Sequence, residues 1–354
     1  MLMDILELQD YRIYVGPVWE SLDRFFSGHH YSRCLVLVDA NTRECCLPQL
    51  RKVLPLGDED VIEIPPGEQH KNLDTCSDIW QRLLAEGTDR KALLINLGGG
   101  VIGDMGGFCA STFKRGIDFL QIPTTLLSQV DASIGGKLGI DFGQVKNSIG
   151  VFRNPQAVCI DPAFLSSLPP RELRSGFAEI IKHSLIADRR QWKQIREISD
   201  LDSVHWPSLI VPSLRIKQRI VEADPFEKGL RKALNFGHTI GHAVESLALE
   251  TDAPLLHGEA IAIGMICEAW LSARQTGLPE DELSDIVRFL KRIYPLGPLR
   301  EQDFGEYLRL MGNDKKNENQ SLNFSLIGPA GTVHINQTAP AEAIADSLRF
   351  YNAV

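Results

Sequence analysis

Short, wholly apolar runs alternate with helix-period segments through the first half of this chain, and few architectures accept that pattern. CLVLVDA (Cys34 to Ala40) is a buried strand ending at Asp39, and VIEIP (Val61 to Pro65) is another, closed by Pro65-Pro66-Gly67. A helical segment then starts at a capping residue, Asn72, and stops near Gly87. ALLINLGGG is a strand that runs into three glycines, VIGDMGGFCASTF opens a helix of small residues, and FLQIPTT is a further strand. Strand–helix alternation of this kind is the signature of an α/β domain with a parallel sheet.

The second half reads differently. From Pro170 onward the segments are long and helical: RELRSGFAEIIKHSLI, PSLIVPSLRIKQRIVEAD, ALNFGHTIGHAVESLALE, GEAIAIGMICEAWLSARQTG and EDELSDIVRFLKRIY. Pro169-Pro170 marks the boundary, so the expected domains are residues 1–169, an α/β nucleotide-binding domain, and residues 170–354, a mainly helical domain. The length of 354 residues supports two cores, since one rarely grows past about 250–300 residues.

Composition removes several classes of function. With 44% hydrophobic residues the chain is globular, and a net charge of −9 argues against nucleic-acid or anionic-membrane surfaces. The seven cysteines form no CxxC pair, which suits a reducing compartment. The N-terminal stretch carries acids early, unlike a signal peptide. No run of about 20 apolar residues is present. A soluble cytoplasmic protein is expected.

Gly98-Gly99-Gly100, between a strand and a helix, allows backbone N–H groups to approach a pyrophosphate at the helix N-terminus. A tight turn is the alternative, and the run is not the GxGxxG fingerprint. Asp39 at a strand end could accept from ribose hydroxyls and favour NAD over its 2′-phosphorylated form, or could simply cap a helix. His238 and His242 stand at i, i+4 on one helical face, suited to zinc or to an ordinary surface pair. His257 follows in L-H-G-E-A. Glu179 lies mid-helix in an apolar stretch, where a buried carboxylate needs a cation, either a metal or Lys182. Basic groups fall on otherwise buried segments: Lys137, Lys146, Lys217, Arg231 and the pair Lys315-Lys316. If they converge, they suit a substrate carrying both carboxylate and phosphate.

Six ordered strings carry a resemblance: P-P-G-E-Q-H-K, G-G-G-V-I-G-D, K-R-G-I-D-F-L-Q-I-P-T-T-L-L, V-D-A-S-I-G-G-K, G-L-R-K-A-L-N-F-G-H-T-I-G-H and H-G-E-A. Together they resemble the 3-dehydroquinate synthase family of sugar-phosphate cyclases, from about Val36 to Asn317. The resemblance implies zinc (or cobalt) on Glu179, His238 and His257, and moves His242 to the substrate phosphate. It implies NAD contacts at Asp39, Glu68, Lys71, Gly99, Gly100, Asp104, Thr124, Thr125 and Lys146. Asp131, Lys137, Asn147, Lys217, Arg231, Asn235 and Lys316 match the substrate pocket, and of these Asp131, Lys137, Lys217, Arg231 and Asn235, with His242, match catalytic positions. Arg115 matches an arginine that reaches the neighbouring subunit's phosphate site, which implies a homodimer. Two departures from the pattern stand out: Leu138-Gly139 where many members have Thr-Ala, and Gly107 with Cys109 in the glycine-loop helix.

The resemblance also implies a chemistry. NAD takes a hydride from a ring hydroxyl and later returns it, phosphate leaves by elimination, and an enolate closes on a ketone to make the carbocycle. The rivals are a metal-dependent alcohol or glycerol dehydrogenase of similar plan, which has no use for an anion cluster, and a non-enzymatic NAD-binding protein, which has no use for metal ligands.

Overall fold

A computed structural model describes residues 3–143, 145–249, 251–312 and 322–354. The chain divides into two compact units, one ending at Pro169 and the other beginning at Pro170.

The first unit runs β1 (Asp4–Glu7), β2 (Arg12–Val15), α1 (Val18–Phe26), β3 (Cys34–Asp39), α2 (Ala40–Cys45), α3 (Leu47–Leu50), β4 (Val61–Ile64), α4 (Leu73–Ala85), β5 (Leu93–Gly98), α5 (Gly100–Thr112), β6 (Asp118–Pro123), β7 (Lys137–Phe142), β8 (Val145–Phe152) and β9 (Ala157–Ile160). Seven strands form one sheet in the order β1-β2-β9-β6-β5-β3-β4. The β1–β2 pair is antiparallel and every other pairing is parallel. Alternate residues of each strand feed two cores. Val36, Val38 and Ile95 face one side, packing with Leu22 and Phe25 of α1. Leu35, Leu37 and Leu94 face the other, packing with Ile79 of α4 and Met105 of α5. Apolar residues on both faces are what a covered parallel sheet requires.

Strand order reverses between β3 and β5. From β3 the chain passes outward to β4, then crosses to β5 and β6 on the other side. Ligands of open α/β sheets bind in the crevice at such a switch point, beyond the strands' carboxyl ends. Asp39 ends β3 and Gly98 ends β5, so both stand at that crevice.

The second unit contains α6 (Pro170–Ala187), α7 (Arg189–Ile195), α8 (Pro207–Ala223), α9 (His238–Ala248), α10 (His257–Gln275), α11 (Glu280–Ile293), α12 (Phe304–Gly312), the antiparallel hairpin β10 (Phe324–Ile327) and β11 (Val333–Gln337), and α13 (Ala341–Ala353). α10 is its hub, buried almost throughout and packed on α6, α9, α11 and α13. The α/β-plus-helical fold class is as the sequence implies.

Local boundaries follow the expected chemistry with one exception. Asn72 caps α4, its side chain accepting from Thr75 N at 3.0 Å. α8 continues through Pro212. The segment ALNFGHTIGHAVESLALE, however, is not one helix. A 3-10 turn covers Leu230–Asn235, and α9 begins only at His238, because Gly237 at φ 80 breaks the backbone between them.

Candidate active site

In the first unit, the glycine run leads directly into α5, with Gly99 as its N-cap. Side chains are crowded out at the first glycine and tight at the second. A Cβ at Gly98 would lie 2.6 Å from Ile102, and one at Gly99 would lie 3.1 Å from Thr125 Cγ2. A cleft lined by Gly98, Gly99, Gly100, Asp104, Pro123 and Ser128 opens at this point. Thr124 and Thr125 border it: Thr124 N donates to Gly98 O at 2.9 Å, and Thr125 Oγ1 bonds Ser128 Oγ at 2.9 Å. Asp39 caps α2, with Oδ1 accepting from Thr42 N at 2.8 Å and Thr42 Oγ1 at 2.9 Å. The capping alternative therefore holds for one oxygen, and Oδ2 takes no part in the cap.

Lys71, Asp104 and Asn147 converge. The Lys71 ammonium, 4% exposed, donates to Asp104 Oδ2 and to Asn147 Oδ1, each at 2.7 Å. Burial works against its charge, but Asp104, Glu68 and Asp141 outweigh burial and raise the pKa above the usual lysine value. Lys146 Nζ lies 4.0 Å from Glu68 Oε1. Asn147 holds φ 49, and its N–H donates to Asp141 Oδ1 at 2.7 Å. Asp131 sits in a wide π-helical turn, Ser128–Ala132, and Lys137 opens β7. Arg115 is exposed at φ 68, between Lys114 at φ 50 and Gly116 at φ 113.

The two departures from the family pattern meet in space. A Cβ at Gly107 would lie 2.4 Å from Leu138 Cδ2, so the leucine fills volume that a side chain on α5 would occupy. Both belong to packing, and Leu138, next to Lys137 in sequence, leaves that lysine in place.

The second unit brings three ligand types together. Glu179 on α6 is 0% exposed, and its Oε1 lies 3.5 Å from His238 Nε2 and 3.6 Å from His257 Nε2. Those separations match a tetrahedron's edges: bonds of about 2.0–2.1 Å to zinc place neighbouring donors roughly 3.3–3.4 Å apart. Each imidazole is oriented from behind. His238 Nδ1 lies 3.1 Å from Phe236 O, and His257 Nδ1 lies 3.2 Å from Glu245 Oε2. With those acceptors bound at Nδ1, both Nε2 atoms face Glu179, as in oriented metal-ligating histidines. Burial lowers the His257 pKa, but Glu179 and Glu245 more than reverse this and push it up to about 10. A cation entering here displaces a proton. The donor set fits a divalent metal.

Sequence reasoning set Lys182 against a metal as the partner of Glu179. The two partners share the carboxylate: Lys182 Nζ binds Oε2, and Oε1 faces the imidazoles. Glu245 was not singled out, although it lies three residues past His242 and seven past His238 on the same helical face. His242 groups with Glu245 and His257, whereas the Glu179 group contains His238 and His257.

Elsewhere in the second unit, Lys217 on α8 and Arg231 are buried. Arg231 N donates to Asp224 Oδ2 at 3.0 Å, and its Nη1 donates to Pro225 O at 2.6 Å. Asn235 Nδ2 donates to Glu227 Oε1 at 2.9 Å, and Glu227 stands at φ 58. Nothing in the sequence marks Glu227 except its place just before the K-G-L-R string. Lys315 and Lys316 lie outside the described residues.

Known proteins fit this arrangement. Residues 61–175 match the model described as 3-dehydroquinate synthase N-terminal, and residues 176–317 match 3-dehydroquinate synthase C-terminal. The 3-dehydroquinate synthase of Parabacteroides distasonis is 43% identical over 333 residues, covering 93% of this chain and 94% of that protein. The chain belongs to the 3-dehydroquinate synthase family. The family's enzyme from a Nitratiruptor species is 39% identical over 97% of this chain and 96% of its own. Among solved structures, 2-epi-5-epi-valiolone synthase from Streptomyces hygroscopicus with NAD+ and Zn2+ bound superposes with TM-score 0.82 at 25% identity, covering 100% of this chain and 99% of that one. An iron-containing alcohol dehydrogenase shares the fold at TM-score 0.65 and 14% identity, with 100% of each chain covered.

Proposed function

We propose that this member of the family converts 3-deoxy-D-arabino-heptulosonate 7-phosphate to 3-dehydroquinate and inorganic phosphate, the carbocycle-forming step of the shikimate route to aromatic amino acids. The observation that carries the reading is the Glu179–His238–His257 donor set, with both imidazoles oriented from behind, in a chain 43% identical to a synthase. The reaction is redox-neutral overall, since substrate and product differ only by the elements of phosphoric acid.

NAD is assigned to the first unit and zinc or cobalt to the second; the valiolone synthase binds NAD+ and Zn2+, and a 2-deoxy-scyllo-inosose synthase of the same fold is complexed with NAD+ and Co2+. When bound, NAD supplies a hydride acceptor that gives the hydride back, and the metal supplies a Lewis acid for a substrate oxygen. Asp39 Oδ2 accepts from ribose hydroxyls, and the Gly99 and Gly100 backbone lies under the pyrophosphate, with Thr124 and Thr125 beside it. Lys71 holds Asp104 and Asn147 in place, and Glu68 and Lys146 flank the same cofactor.

Lys217 and Arg231 hold the substrate carboxylate: both are buried cations on rigid backbone, suited to a buried anion. In the second unit Asn235, His242 and Lys316 are assigned to the phosphate; in the first unit Lys137 is likewise assigned to phosphate, and Asn147 and Asp131 to the hydroxyl-bearing carbons. Arg115 is assigned to a second copy's phosphate site in a homodimer. Its exposure and left-handed backbone, unusual for a non-glycine residue, support a functional placement. Sedimentation velocity checks the dimer, and a monomer at full activity would rule it out.

Residues 1–169 act as the cofactor domain and 170–354 as the metal and substrate domain. A cytoplasmic site of action is supported by seven free cysteines, five of them buried, and among the described residues no helix is long and apolar enough to cross a membrane. The deciding experiment is a product assay with the seven-carbon substrate, in which 3-dehydroquinate and phosphate should form in equal amounts.

A further inference from the structure

Glu268 lies on α10 at 0% exposure, and its acceptors are spent on the backbone of a different helix. Its Oε2 accepts from Gly237 N at 2.7 Å, and its Oε1 accepts from Ile240 N at 3.1 Å. A helix leaves its first N–H groups without intrahelical partners, and a Ser, Thr, Asp or Asn at the N-cap normally supplies one acceptor. The N-cap of α9 is Gly237, which has no side chain to offer. The cap comes instead from α10. Carrying a carboxylate into a core costs several kcal/mol, so its placement at this turn calls for a return.

The peptide group that joins Phe236 to Gly237 shows what the return is. Its N–H donates to Glu268, and its C=O stands 3.1 Å from His238 Nδ1. One planar unit is therefore held from both ends, by a carboxylate on one side and by the imidazole on the other. A peptide whose N–H is bound to an anion is a stronger acceptor at its oxygen. The backbone leaves little freedom for compensation. A Cβ at Gly264 of α10 would lie 1.9 Å from Gly237 O, so the two helices touch main chain to main chain at this turn. α10 also carries His257 as its first residue.

We propose that Glu268 is a positioning residue for the metal centre, acting through the Phe236–Gly237 peptide to orient His238 and strengthen it as a ligand. The arrangement is a carboxylate–histidine pair with a peptide inserted between its members. The inference rests on the reading of Glu179, His238 and His257 as metal ligands.

The test uses Co2+ as the probe on the full chain, with affinity from chelator competition and ligand geometry from the visible d–d absorption. Glu268→Gln keeps the volume and one acceptor but sets an amide NH2 against a backbone N–H. It is expected to weaken Co2+ binding by about tenfold or more, the usual scale for lost outer-shell support, and to shift the d–d bands. Glu268→Ala should do at least as much where it folds, and Glu268→Gln carries the test where it does not. Thr239→Val is the control, removing the bond from Thr239 Oγ1 to Asn323 O in the same turn of α9 without touching the peptide. It should lower the melting temperature and leave cobalt affinity and spectrum unchanged. A Glu268→Gln protein with the parent's affinity and spectrum, or a loss matched by Thr239→Val, overturns the positioning role. A parent that binds no Co2+, or a His238→Ala variant that binds as tightly as the parent, overturns the metal reading itself.

Discussion

Lys182 binds Oε2 of Glu179 from one helical turn away, so the same buried carboxylate turns Oε1 toward His238 and His257. The lysine balances charge while the imidazoles complete a donor set. Removing one member of a buried ion pair typically costs about 3–5 kcal/mol, because the other is left uncompensated. Lys182→Met is therefore expected to destabilise the metal-free protein by that amount in urea denaturation. Pairing it with Glu179→Gln should cost much less than the sum of the two single changes. Additive losses would show that the pair is not coupled.

The three imidazoles lie near one another, with ring centroids 5.1 Å apart for His238–His242 and 5.4 Å for His238–His257. His238 and His257 face Glu179. His257→Ala is expected to lose most bound zinc after dialysis, while His242→Ala keeps it and loses activity. Metal content by elemental analysis decides, and equal loss in both variants contradicts the assignment.

Asp39 caps α2 through Oδ1, and substitutions separate that cap from the ribose contact proposed for Oδ2. Asp39→Ala removes the cap and should cost about 0.5–2 kcal/mol of stability. Asp39→Ser keeps a capping oxygen and removes the charge, so it should restore most of that stability. It should also relax a preference for NAD over the 2′-phosphorylated cofactor, measured as the ratio of dissociation constants. Tighter binding of the phosphorylated cofactor to the parent would contradict the role of Asp39.

Gly107 and Leu138 make a reciprocal pair, a missing side chain on α5 facing a large one on β7. Gly107→Ala should clash and cost about 1–3 kcal/mol. Leu138→Ala should leave a void and cost about 2–5 kcal/mol. The double variant should be more stable than the sum of the two changes implies, because the new methyl enters the vacated volume. Thermal melts of the four proteins give the coupling.

What could be read from the sequence follows from what each signal depends on. β3, β5 and the glycine run were legible because continuous apolar strands closed by glycine are local patterns. Asn72 was legible because a cap is a local bond. The antiparallel β1–β2 edge and the β7–β8 hairpin were not singled out, since four-residue strands and mixed polarity carry little periodicity. The i, i+4 spacing of His238 and His242 left zinc and an ordinary surface pair open, and the family resemblance paired His238 with Glu179 and His257 instead. Ligand choice depends on which imidazole faces Glu179 from another helix, which spacing along one helix cannot report. Glu268 was invisible for the same reason: its partners are backbone groups about thirty residues away. Gly237 hid the start of α9, because a single left-handed glycine interrupts a helix without disturbing its apolar rhythm.

Redox balance separates a synthase from a dehydrogenase of the same fold. A dehydrogenase leaves one NADH for each turnover. A synthase that loses phosphate and closes a ring ends at the oxidation level where it began, so NAD acts as a catalyst. The buried cations Lys217 and Arg231 favour the second case, since a simple alcohol oxidation has no carboxylate to hold. With 3-deoxy-D-arabino-heptulosonate 7-phosphate, zinc and substoichiometric NAD, inorganic phosphate is expected to exceed the NAD many times over. 3-Dehydroquinate should form in equal amount, and NADH absorbance should stay near baseline. Lys217→Ala or Arg231→Ala should cripple the reaction, because each leaves the substrate carboxylate short of a buried partner, a loss of about 3–5 kcal/mol or more than a hundredfold in kcat/KM. NADH accumulating in step with turnover, or a full course of reaction without phosphate, would show the chain to be a dehydrogenase on this fold.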